Sequence, residues 1–123
     1  MKYLLMIYGN DEKWNSIPAE EWPEAIAKQE AFNARYRDTG ELIGAYGLGT
    51  SATAKLVRNA DGVPVVTDGP YLETKEYFAS FYLLDCANEQ RAYEIAADMP
   101  WADKDPVEVW PVPHVSPGVT PNA

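Results

Sequence analysis

The order of apolar patterns along the chain predicts one α+β domain, with helices covering one face of a mainly antiparallel sheet. Three observations carry that expectation. Two strand-like runs, residues 2–8 and 77–85, each lead into a helical pattern, and a short run at 107–112, VEVWPV, closes the domain. A length of 123 residues suits a single core and is too short for two.

Residues 2–8, KYLLMIY, place Tyr3, Leu5 and Ile7 on one face and Leu4 and Met6 on the other. A strand apolar on both sides belongs in the middle of a sheet. Gly9, Asn10 and Asp11 interrupt the pattern. Ser16 and Pro18 then announce a helix, capped at Ser16 or Ile17 and running over residues 18–38. Trp22, Ala25 or Ile26, Phe32 and Tyr36 form its apolar stripe, while Glu20, Glu21 and Glu24 lie early and Arg35 and Arg37 late, as the helix dipole favours. Pro23 falls in the first turns, where a missing N–H costs least.

Gly40 ends that helix, and residues 42–48 read as a strand carrying Gly44 and Gly47. The order GAYGLG is GxxGxG inside a strand, not the GxGxxG of a dinucleotide loop, so it predicts a bulge or a close backbone approach. Residues 53–58 and 63–67 flank NADG, a four-residue connection suited to a hairpin with Pro64 at a sheet edge. In residues 77–85, simple alternation puts Tyr77, Ala79, Phe81 and Leu83 on one face and Phe78, Ser80, Tyr82 and Leu84 on the other. Asn88 caps a helix reaching Met99, with Ala92, Ile95, Ala96 and Met99 as its buried stripe and Pro100 as its stop.

The result is βαββαβ with an inserted hairpin, ferredoxin-like in outline, over residues 1–112, followed by a Pro-rich tail at 113–123. Its two helices cover one face of the sheet only. A homodimer is therefore expected, each copy covering the other's open apolar face.

Nineteen acidic residues against ten basic give a net charge of -9, which disfavours nucleic acid and anionic membranes as partners. No apolar run approaches the roughly 20 residues of a membrane helix, and a cytoplasmic protein is expected. Cys86, the single cysteine, sits at the end of an apolar strand and reads as a small buried hydrophobe. One His and one Cys with scattered acids offer no zinc spacing, so neither a metal nor another cofactor is expected.

Asp68 admits two readings. In TDGP, its carboxylate can accept backbone N–H groups and fix a turn in which Gly69 tolerates unusual dihedrals. Alternatively it stands with Glu73, Lys75 and Glu76 at the mouth of an apolar pocket lined by Tyr46, Phe81 and Tyr82, where burial and like charge would raise a carboxyl pKa towards general-acid use. Arg58 is the cation best placed to pair Asp68 or hold a ligand carboxylate, and His114 lies in the extended tail. Trp14, Trp22, Trp101 and Trp110 read as core and interface material.

The stretch TDGPYLETKE, residues 67–76, resembles the DGPF family of YCII-related proteins, as do MKYLLMIYG, TAKLVR, VVTDGP, YLLD and the closing VEVWPV, in the same order. The resemblance implies a ferredoxin-like subunit pairing into a dimeric α+β barrel. It also implies a sigma factor as a possible protein partner, since many bacterial members are encoded near or fused to one. The His and Asp pair of better-studied relatives does not carry over, because His114 is not on the first helix. Tyr71 replaces the usual Phe, and Trp110 stands where members often have Arg. The expectation is a small-molecule-binding or regulatory homodimer. The alternative is a cofactor-free lyase, isomerase or hydrolase acting on a small polar-aromatic substrate through Asp68.

Overall fold

In the computed structural model, residues 1–70 and 76–119 are described. The main sheet holds β1 (Lys2–Gly9), β2 (Leu42–Gly47), β5 (Tyr77–Asp85) and β6 (Glu108–Pro111), in the order β2-β5-β1-β6 with every neighbouring pair antiparallel. Helices α2 (Trp22–Asp38) and α3 (Glu89–Ala97) make the two crossovers. The expected ferredoxin-like α+β architecture is thus the observed one.

Both long helices pack on the same face. Tyr3 and Leu5 from β1 and Leu42, Tyr82 and Leu84 from β2 and β5 meet Phe32 and Tyr36 of α2 and Ala92, Ile95 and Ala96 of α3. Leu5, Leu84 and Ile95 are fully buried, each worth about 1.5–3 kcal/mol relative to exposure. Polar contacts tie the helices together at their edges. Asp98 accepts from Tyr36 Oη at 2.8 Å and Arg35 Nη1 at 3.1 Å, and Arg91 grips Glu41 with two nitrogens at 2.8 and 2.9 Å.

Several details depart from the expectations. Asn10 does not merely interrupt the chain: its side chain accepts from the N–H of Glu12 and Lys13 and so caps a short helix α1 (Asp11–Ser16). The long helix accordingly begins at Trp22, after a 3-10 turn at Ala19–Glu21, and turns Ala25 inward while Ile26 stays exposed. The four-residue connection contracts to Asp61 and Gly62, whose φ angles of 51° and 84° define the tight turn between β3 (Lys55–Ala60) and β4 (Val63–Asp68). These two strands form a sheet of their own.

The glycine reading holds at Gly44. The β2–β5 register shifts beside it, and a Cβ there would lie 2.8 Å from the Tyr46 ring, so the missing side chain makes room for that ring. A second irregularity overturns simple alternation in β5. Ile7 faces Ser80 but Tyr8 faces Phe78, so the register skips Ala79 and Phe78 meets Phe81, their ring centroids 5.6 Å apart. The sheet face away from the helices therefore carries a continuous aromatic ladder. Tyr8 meets Phe78 at 6.1 Å and Phe81 stacks on Tyr46 at 4.9 Å, with Leu4, Met6 and Trp110 on the neighbouring strands. Among the described residues no helix is long and apolar enough to cross a membrane.

Candidate ligand-binding site

Beside the end of β1, the chain turns into α1, and the segment between α3 and β6 folds alongside. Between them lies a cavity of about 370 Å³, walled by Ile7, Tyr8, Trp14, Ile17, Trp101, Pro106 and Val107 and edged by Asn10, Lys13 and Asp105. Gly9 is what admits the indole of Trp14. A Cβ at that position would stand 2.7 Å from Trp14 Nε1, too close for any side chain. Trp14 also packs against Trp22, ring centroids 6.0 Å apart, so α1 is held to the start of α2 by aromatic contact.

The polar edge is an ion pair. Lys13 Nζ donates to Asp105 Oδ1 at 2.7 Å, and that hydrogen bond holds the ammonium pKa above its ordinary value. Both side chains are substantially exposed, so the pair adds little stability, but it presents a donor and an acceptor side by side at the cavity rim. Lys104 lies over the Trp101 ring at 4.8 Å. Asn10, the one buried polar residue among those described, donates from Nδ2 to Glu76 at 3.3 Å while its oxygen caps α1.

An adjoining groove of about 540 Å³ shares Tyr8, Asp105, Pro106 and Val107 and adds Glu76 and Glu108. Glu108 accepts from Tyr8 Oη at 3.5 Å and from Trp110 Nε1. Burial and the Glu108 charge raise the Tyr8 phenol pKa, so it stays a neutral hydrogen-bond donor. Tyr8 thus belongs both to the cavity wall and to the aromatic ladder of the open sheet face.

Among the described residues, those picked out from sequence do not converge on one pocket. Asp68 ends β4 with its side chain 89% exposed and accepts from Lys55 at 2.6 Å. That bond lowers its pKa, opposite in sign to the expected rise, because the carboxyl gains a cation and no burial. Lys55 therefore takes the place that sequence assigned to Arg58, which stands exposed on β3. Tyr46 and Tyr82 lie on opposite faces of the sheet: Tyr46 is on the open face with Phe81, whereas Tyr82 is buried against Phe32 beneath α2. Glu76 reaches the groove through Asn10, while Glu73 and Lys75 lie outside the described residues.

Sequence reasoning did not single out Lys13 or Asp105, and it read Trp14 and Trp101 as core and interface material and not as pocket walls. The available signal was Asn10 followed by DEKW, a side-chain cap leading a one-turn helix that carries a Lys and a Trp. Nothing in local spacing connects it to Trp101 and Asp105, some ninety residues away and brought close only by the pairing of β6 with β1. Cys86 is buried with its thiol pKa pushed up by desolvation, as befits a packing residue.

Fold and cavity together define a ferredoxin-like domain with one closed and one open sheet face and a small aromatic pocket at the strand ends. The model of the YCII-related domain matches residues 1–116, and the chain belongs to that family. It is 33% identical over 125 residues to an uncharacterized protein of Rhizobium meliloti (strain 1021), an alignment covering 99% of this chain and 100% of the relative.

Proposed function

We propose that the protein is a small-molecule-binding homodimer in which two open sheet faces meet and the pocket at each end of the interface takes a small aromatic ligand. The observation that carries this reading is the double membership of Tyr8, in the pocket wall and in the aromatic ladder. A second copy laid on the ladder would roof the groove and shield the pocket from water. Ligand selectivity follows from the lining. Trp14, Trp101, Ile7 and Val107 favour a flat apolar body, and the Lys13–Asp105 pair favours a substituent that both donates and accepts, as an amide or hydroxy acid does.

The test is an NMR titration with salicylamide and salicylate as probes, following the indole N–H signals. Binding is expected to shift Trp14 and Trp101 together and to be lost in Trp101→Ala, with Trp22 little affected. Shifts confined to Trp110, or none at millimolar probe, would contradict the assignment of the pocket. The enzymatic alternative, with Asp68 as acid or base, requires a second copy to bury that carboxylate, because within one chain it stands exposed on Lys55.

A further inference from the structure

The β3–β4 hairpin is a two-stranded sheet separate from the main one. Such a ribbon is marginal in water without something to pack on. Of its strand residues only Leu56 is not exposed, and Val57, Val63, Val65 and Val66 are 66%, 60%, 41% and 58% exposed. The register places Leu56, Arg58, Val63 and Val65 on one face. On the other face, alongside Val57 and Val66, Lys55 and Asp68 neutralise each other at 2.6 Å, whereas the Arg58 side chain has no hydrogen bond or ion pair among the described residues.

Charge shows what the arm would lie on. The hairpin carries Lys55 and Arg58 against Asp61 and Asp68, so the whole net charge of -9 belongs to the rest of the chain. An arm with an unpaired cation amid exposed valines complements an acidic, apolar surface, and the chain itself has one. On β6, Glu108 sits beside the exposed Trp110, on the groove edge that also includes Glu76 and Asp105. Position agrees with charge. β2 and β6 are the two edges of the sheet, and a two-fold axis along the strands, between facing sheets, brings the β2 edge of one copy over the β6 edge of the other. The hairpin follows β2 and extends about 20 Å, six residues per strand at about 3.4 Å each.

We infer that the hairpin is an arm that docks on a second copy of this chain, its Leu56, Val63 and Val65 face down and Arg58 against Glu108 of that copy. Each ligand site then takes a cation from the other subunit, since Glu108 borders the groove beside the cavity. The inference rests on the paired-sheet reading above and adds an exchanged arm to it.

The experiment measures self-association of the full chain by sedimentation, with amide hydrogen exchange of residues 55–68 above and below the association midpoint. Hairpin amides are expected to slow markedly on association. Arg58→Glu is expected to weaken association about tenfold, and adding Glu108→Arg to recover most of that loss. Association with hairpin amides unchanged, or with Arg58→Glu within about twofold of wild type, or without recovery in the double variant, overturns the arm while leaving the paired sheets intact. Absence of association at any concentration overturns both.

Discussion

The two faces of the main sheet are drawn from the same strands and are both apolar, yet they meet different fates. On the helix side, Tyr3, Leu5, Tyr82 and Leu84 are buried by α2 and α3 within the chain. On the other, Tyr8, Tyr46 and Trp110 remain 39%, 36% and 53% exposed, although Tyr8 packs on Phe78 and Tyr46 on Phe81. Successive residues of β1 point to opposite faces and both sets are apolar, so the strand does not distinguish the faces; only the crossovers, which pass on one side, decide which face the chain itself can cover. The contrast separates the stability of the single chain from the self-association proposed for it.

The sharpest way to break that separation is to cut into each face in turn. On the closed face, Ile95→Ala removes a fully buried side chain and is expected to cost about 2–4 kcal/mol of unfolding free energy at every protein concentration, read from urea denaturation. On the open face, Trp110→Asp is expected to weaken self-association by tenfold or more, about 1.4 kcal/mol, with little change in denaturation of the dilute protein. Equal loss of dilute stability in both variants would erase the distinction between the faces.

Electrostatics sharpens the comparison at smaller scale. Glu41 on the closed side has its pKa lowered chiefly by its hydrogen bonds to Arg91. A carboxyl depressed in the folded state stabilises above its unfolded pKa, about 4.3, and that contribution disappears as pH falls through the folded value. Thermal melts should therefore show Glu41→Gln less stable than wild type by a few degrees at neutral pH, with the gap closing in acid. A gap that widened in acid would contradict the assigned pair. Asp68, out on the hairpin, is expected to matter least to stability. Its NMR-detected pKa should lie below the ordinary aspartate value and move back towards it in Lys55→Ala.

Much of the closed face was legible in sequence because it follows local rules. The Asn88 cap, the stripe Ala92, Ile95, Ala96 and Met99, and the span of β5 are all visible in short-range patterns, and all are found. The open face was half legible. Its apolar character was evident, but the skipped Ala79 puts Phe78 with Phe81, and a one-residue slip of this kind is set by pairing with β1 and cannot be seen in β5 alone. The pocket was the least legible, since its walls come from residues near 10 and near 105 that only sheet order brings together. Asp68 drew notice through its turn sequence, but the pairing of β3 with β4 sets a lysine opposite it and leaves its carboxylate exposed.

Sedimentation velocity of the unmodified chain across a dilution series tests the covered open face most directly. A species of about twice the 13.7 kDa chain mass is expected at working concentration, dissociating on dilution and in Trp110→Asp. A wild-type chain that sediments as a monomer throughout would contradict it.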